Sequence, residues 1–258
     1  MDELLSPHAR AVAERALDEE SAKRAHLVVY LSGAHAYGFP SPDSDLDLKA
    51  IHVERTERLL GLAAPTPTFD RAEIIDGVEI DYTSNELGAA LLGVLRGNGN
   101  FIERVLGATA LRGSPELEAL RPLVARALSR RVHRHYRGFA EGQLRELDRT
   151  PTAKRLLYVL RTALTGLHLL RSAALVTDVR ITAREHRVDG IDALIARKQT
   201  GERASLSREE IDAWRGRVHA LLDALDAAHA RSVLPEEPPN AGELEAWLVA
   251  LRASRLAR

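Results

Sequence analysis

Three aspartates carry most of the chemistry this sequence can offer. Asp45 and Asp47 stand two apart in SDLDLKAI, where Leu46, Leu48 and Ala50 alternate with them as in a strand. Alternation sends both carboxylates from one face, ~7 Å apart at the backbone. Two anions so placed repel, and a hard divalent cation, Mg²⁺ or Mn²⁺, is the compensation that carboxylate oxygens favour. A third acid completes such a site, and Asp81 is the best candidate, with Glu79 two residues back on the same face of a nearby expected strand. Three acids of this kind can hold two ions about 4 Å apart, a spacing that clamps an α-phosphate between an attacking oxygen and a departing pyrophosphate.

Upstream, Gly33 and Gly38 bound the run GAHAYG. Glycines in such a loop let backbone amides approach phosphate oxygens, so the loop is expected beside a triphosphate. Further on, Lys154, Tyr158 and Arg161 fall at i, i+4 and i+7, on one face of an expected helix. A cation, a phenol and a guanidinium there suit a triphosphate or its base, held from across a cleft; the same spacing also describes a solvated face beside a leucine stripe.

The elements that must position these groups can be read from pattern. Helices are expected over about 7–24, after a Thr83–Glu86 capping box with Leu87, Leu91, Leu92 and Leu95 as the apolar stripe, and over a charged region from Ser114-Pro115-Glu116 to about Asp148. Others follow from about Ala153 to Ala174, from the Ser207–Glu210 capping box to about Arg231, and over Glu243 to Leu256. Leu27–Leu31 and Asp45–Val53 read as strands, and Asp76-Gly77 as the turn of a hairpin between Arg71–Ile75 and Val78–Thr83. The expected fold class is α+β: an N-terminal palm-like mixed sheet with flanking helices over 1–112, followed by an all-helical domain over 113–258 that completes the cleft.

Composition narrows the rest. With no cysteine, the chain has no thiolate nucleophile, iron–sulfur cluster or disulfide, which suits the cytoplasm. The N-terminus lacks a basic start and apolar run, and no apolar stretch reaches the ~20 residues of a membrane helix, so neither export nor membrane insertion is expected. A formal net charge of −1 gives no bulk attraction to nucleic acid. The local cluster Arg130, Arg131, His133, Arg134, His135 and Arg137 is followed by Glu141, Glu146 and Asp148, and reads as a charged helix exterior sooner than an RNA track. A calcium loop over Asp43, Asp45, Asp47 and Glu54 fails because Leu48 stands where its bend needs glycine. His35 and His52 read as structural.

GAHAYG followed by SDLDLKAI resembles the Gly-Ser loop and Asp-x-Asp strand of the DNA polymerase β-like nucleotidyltransferase superfamily. More narrowly, the chain resembles bacterial predicted nucleotidyltransferases found beside RNA-repair ligases, which carry Gly-Ser-x-Ala-Tyr-Gly, Ser-Asp-x-Asp, a later strand acid and an Asn…Glu element. Gly33, Ala36, Tyr37 and Gly38 match the loop, Ser44, Asp45 and Asp47 the strand, Asp81 the later acid, and Asn98 with Glu103 the last element. The resemblance implies two Mg²⁺ or Mn²⁺ ions on Asp45, Asp47 and Asp81. It further implies nucleotide contact by Ser32, Gly33, Ala34, Tyr37, Ser44, Lys154, Tyr158 and Arg161.

Two positions depart from the pattern. Ala34 replaces the serine whose hydroxyl contacts triphosphate, a bond typically worth ~1.5–3 kcal/mol, so Ser32 or His35 would have to supply it. Gly99 stands where the narrower group has proline. The implied activity is transfer of a nucleoside monophosphate from NTP to an acceptor hydroxyl with release of pyrophosphate, the acceptor being an RNA 3′ end by association with RNA repair. A protein or small-molecule acceptor stays open. So does an inactive nucleotide-binding or toxin-neutralising protein of the same fold, which Ala34 motivates. A sugar-nucleotide transferase also uses Asp-x-Asp but lacks this glycine loop. Base preference and oligomeric state have no signature in the sequence.

Overall fold

A computed structural model describes residues 4–63, 65–201 and 204–256. The chain runs α1 (Pro7–Lys23), β1 (Ala25–Leu31), α2 (Gly33–Tyr37), β2 (Leu46–Val53), α3 (Thr56–Leu60), β3 (Thr68–Ile75) and β4 (Val78–Glu86). It continues through α4 (Leu87–Leu95), α5 (Gly99–Leu106), β5 (Ala110–Gly113), α6 (Pro115–Arg126) and α7 (Val132–Arg149). The remainder is α8 (Ala153–Ser172), α9 (Val179–Glu185), α10 (Ile191–Gln199), α11 (Arg208–Ala230) and α12 (Ala241–Leu256). The fold class is the expected α+β, a mixed sheet with a helical C-terminal region. Among the described residues no helix is long and apolar enough to cross a membrane.

By contacts the chain forms two compact units, each discontinuous in sequence. One comprises residues 1–33, 45–127 and 238–258; the other, 34–44 and 128–237. Two helices beyond residue 112, α6 and α12, therefore group with the sheet.

In the first unit the strand order is β3-β4-β2-β1-β5. Only β2 and β4 are parallel; β1 pairs antiparallel with both β2 and β5, and β3 antiparallel with β4. The hairpin turn is where Asp-Gly predicts it: Asp76 (φ 49°) and Gly77 (φ 79°) both take the left-handed conformation of a type I′ turn. Leu46, Leu48 and Ala50 of β2 and Ile80 and Tyr82 of β4 point into a core shared with Val12, Ala13, Ala16 and Leu17 of α1. Arg71 of β3 ties the same helix through Glu19 and Glu20, at 2.7 and 3.2 Å. Glu86, the last residue of β4, caps α4 by accepting from the amides of Gly88 and Ala89. The Thr83–Glu86 box is thus corrected: Thr83 lies inside the strand, and the acid it was to pair with is itself the cap.

His26 of β1 braces this layer. One ring nitrogen lies 2.7 Å from the Tyr82 hydroxyl and the other 3.1 Å from Ser21 Oγ. Burial, then the charge of Arg24, lowers its pKa from 6.5 to about 4. A histidine that holds its proton more weakly folded than unfolded contributes stability that is complete above pH 6.5 and is lost as pH falls toward 4. The melting temperature should accordingly drop across that window, and His26→Gln should flatten the drop; an equally steep profile in the variant would refute this origin.

The second unit packs α7, α9, α10 and α11 around α8. Buried Leu156, Leu157, Leu160, Leu164, Leu167 and Leu170 form the expected stripe of α8, and Gly166 lets Tyr136 of α7 approach, since a Cβ there would stand 2.5 Å from the Tyr136 Cβ. Helix α11 begins with the expected reciprocal capping box of Ser207 and Glu210. The basic cluster pairs within its own unit at a charged exterior: Arg130 donates to the carbonyls of Ser232 and Leu234, exposed Arg131 pairs with Glu237, His133 and Arg137 share Asp226, and Arg134 is exposed.

Candidate active site

The parallel pairing of β2 with β4 decides where the acids go. Its register sets Asp47 directly opposite Asp81, so their side chains leave one face of adjacent strands ~4.8 Å apart at the backbone. Asp45 lies one residue before β2, which begins at Leu46 and not at Asp45 as the alternation predicts. Glu79 is exposed two residues before Asp81, and His52 projects from the opposite face, buried with Nδ1 2.9 Å from Ser84 Oγ. Alternation therefore separates His52 from the acids, while burial lowers its pKa.

Between the acids stands a lysine two residues after Asp47, on the same face of β2. Lys49 Nζ lies 2.8 Å from Asp81 Oδ2 and 3.7 Å from Asp47 Oδ1, and it also donates to the Asp81 carbonyl at 3.2 Å. Two carboxylates ~5 Å apart repel by about 3 kcal/mol at an effective dielectric of ~20, and one ammonium offsets that. The three aspartates do not form a donor set all within 4.8 Å; among the described residues that spacing is met by His168, Glu185 and His186. The oxygen donors of Asp47 and Asp81 suit Mg²⁺, and coordination there requires the flexible lysine stem to withdraw its ammonium.

Gly33 adjoins this face. Its φ is +66°, and a Cβ on it would lie 1.9 Å from Asp47 Oδ2, so the Asp47 carboxylate rests directly against bare backbone. Ser32 continues the ladder, its amide donating to the Asp47 carbonyl at 2.8 Å. Beyond Gly33 the expected loop is instead a short helix, α2, ended by Gly38 at φ +86°. A Cβ at Gly38 would strike the Asp178 carboxylate at 2.3 Å, and Thr177 Oγ1 donates to the Ala36 carbonyl at 3.1 Å.

The second unit gathers Tyr37, Tyr158 and Arg161 of the expected nucleotide contacts. The Arg161 guanidinium sits 3.3 Å over the Tyr37 ring, and Tyr158 meets Tyr37 and Phe39 edge-on at 5.9 and 5.4 Å. Ala34 is buried, and Lys154 is half-buried one turn before Tyr158. Ser44 belongs to a turn held by Lys198, whose Nζ donates to Ser44 Oγ at 2.7 Å and to Ser41 Oγ, itself bonded to Asp43. Lys198 is fully buried, and sequence reasoning passed over it because lysines are almost always exposed. Lys198→Met keeps the bulk and strips the donors, and should cost about 1–3 kcal/mol by leaving the hydroxyls' partner gone; chemical denaturation measures it, and an unchanged midpoint would contradict the anchoring. In the Asn98…Glu103 element, Asn98 caps α5 through the Asn100 amide and Glu103 is buried.

A family model described as RlaP, the RNA repair pathway DNA polymerase beta family, matches residues 9–250. The chain belongs to that family. RlaP membership makes it a nucleotidyltransferase-like protein and covers both compact units, whereas the sequence motifs spanned chiefly Leu27 to Leu106. An uncharacterized protein of Methanocaldococcus jannaschii is 30% identical over 156 residues, 59% of this chain; the match spans 63% of that relative, less than two thirds of its length. A solved nucleotidyltransferase-like protein from Exiguobacterium sibiricum 255-15 aligns over 94% of this chain and 87% of its own with 11% identity and a TM-score of 0.34, too distant a likeness to extend the RlaP assignment.

Proposed function

We propose that the chain is a metal-dependent nucleotidyltransferase that moves a nucleoside monophosphate from NTP to an acceptor hydroxyl, with an RNA 3′ end as the acceptor. The observation that carries this reading is the Asp47–Asp81 register on adjacent strands, beside a glycine too tightly packed to carry a side chain. Asp45, Asp47 and Asp81 would hold two Mg²⁺ or Mn²⁺ ions. When bound, such ions polarise the α-phosphate and neutralise the charge that develops on the departing pyrophosphate. Asp81, with its side chain 51% exposed, would accept the proton of the incoming hydroxyl. Lys49 balances the acids until the ions arrive.

Nucleotide contacts are assigned within each unit: Ser32 and Gly33 in the sheet unit, and Ala34, Tyr37, Ser44, Lys154, Tyr158 and Arg161 in the helical one. Family membership supports the nucleotide, and the family's description supports an RNA-repair setting. A cytoplasmic location fits a chain with no cysteine.

Incubation with each labelled NTP, Mg²⁺ and either 3′-hydroxyl or 3′-phosphate RNA tests the reading. Label should appear on the 3′-hydroxyl RNA alone. Label on bulk protein instead would move the acceptor to a side chain, and no label on any acceptor, with nucleotide still bound, would favour the inactive binding protein that Ala34 suggests.

A further inference from the structure

The proposed reaction leaves one group of side chains unused. His168 of α8, Glu185 in the last turn of α9 and His186 at that helix's C-terminus each offer a donor atom, and the three atoms all lie within 4.8 Å of one another. Glu185 Oε2 is 2.8 Å from His168 Nδ1, and the two imidazole rings meet edge-on with centroids 5.7 Å apart. All three residues belong to the helical unit, on elements separate from the strands that carry the aspartates.

Two imidazoles and one carboxylate are a donor set of borderline softness that suits Zn²⁺ and not the oxygen-seeking Mg²⁺. Donors 2.0–2.1 Å from a tetrahedral ion stand roughly 3.3 Å apart, so no pair needs to close by more than about 1.5 Å, and Glu185 Oε2 and His168 Nδ1, at 2.8 Å, need to part by about 0.5 Å, shifts within reach of side-chain rotation. Two further features distinguish the group from a chance ion pair. His168 is 9% exposed, so its ring is fixed by packing before any ion arrives. The Nε2 atom of His186 is buried with no hydrogen-bond partner, an arrangement that is costly unless another ligand completes it. Burial, then Arg171 and His168, holds the His186 pKa below its ordinary 6.5, which leaves a neutral ring with a lone pair to give.

That lone pair already has a claimant. Arg171 Nη1 donates to His186 Nδ1 at 3.3 Å, which sets the ring's proton on Nε2. An ion bound through Nδ1 displaces the guanidinium, and one bound through Nε2 shifts the proton to Nδ1, where Arg171 can no longer donate. Either route opposes Arg171 to the metal.

We propose that His168, Glu185 and His186 form a Zn²⁺ site in which the ion fastens the C-terminal end of α9 to α8, with Arg171 as its built-in competitor. Asp178, the residue that caps the start of α9, lies against Gly38, so the ion would brace the element on which the 36–38 backbone rests. The inference does not depend on the reaction proposed above.

Calorimetric titration of the full chain with Zn²⁺, in excess Mg²⁺ to occupy oxygen-only sites, tests it. One equivalent should bind with micromolar or tighter affinity. Glu185→Gln and His186→Gln, both at positions open enough to keep the fold, should weaken binding by about 10–100-fold, and Arg171→Ala should tighten it. X-ray absorption should show two imidazole ligands. No binding, equal affinity in His186→Gln, or an all-oxygen shell would each overturn the site, and loss of tightening in Arg171→Ala would overturn the competition.

Discussion

Asp47→Asn should reduce nucleotidyl transfer by on the order of 10²–10³-fold or more while the protein stays folded. Asparagine keeps the shape that rests against Gly33, so the strand pairing and the packing beneath it survive, but it removes the charge that neighbours Lys49 and Asp81. On the proposed mechanism the loss should fall on kcat, because the carboxylate would act where charge develops on the transferred phosphate. Asp47→Asn/Asp81→Asn should be little worse than either single change, as expected of residues that act through one shared centre. The melting temperature should hold or rise slightly, since one of two repelling anions is gone. Turnover within about tenfold of the unaltered protein would remove Asp47 from the chemistry.

Gly33→Ala is the second large effect, and it strikes stability and activity together. The position is left-handed, at φ +66°, which costs a side-chain-bearing residue about 1–2 kcal/mol. The new methyl would also stand 1.9 Å from Asp47 Oδ2 and 2.9 Å from its Cγ, so the carboxylate must move. Together these should lower stability by about 2–4 kcal/mol, or roughly 5–15 °C in melting temperature. A misplacement of ~1 Å at a reacting group costs about 10²-fold in rate, and the activity should fall by at least that. Gly77→Ala is the control: it too is left-handed, at φ +79°, but nothing lies within 4 Å, so it should lose stability and keep turnover. If both variants retain activity equally, Gly33 does not seat the carboxylate.

The features that sequence displays plainly are those that local chemistry dictates. The Asp76-Gly77 turn, the Ser207 capping box, the α8 leucine stripe and the face shared by Asp45, Asp47 and Lys49 follow from backbone conformation and side-chain period alone. The pairing of Asp81 with Asp47 was legible only as proximity; its parallel register depends on how β1, β2 and β4 order themselves in the sheet. Where elements meet over long separations, the pattern falls silent. The strands end near residue 112, but α6 and α12 group with the sheet because of apolar faces whose targets no local window reveals. The same holds for Lys198, whose partners Ser41 and Ser44 lie more than 150 residues away, and for Asp178 against Gly38. The Gly33–Tyr37 run reads as a loop because Gly33 and Gly38 leave only Ala34, His35, Ala36 and Tyr37 between them, too few to display a helical period, yet those glycines are the breaks that bracket one short helix.

Lys49 gives the acidic face a counter-ion that never diffuses away. Because the neutralising charge is built into the polypeptide, the sheet assembles without drawing on dissolved magnesium, and the protein is spared the coupling between folding and mineral supply that bare carboxylate clusters suffer. Withholding magnesium should therefore abolish the proposed transfer and leave the melting curve where it was.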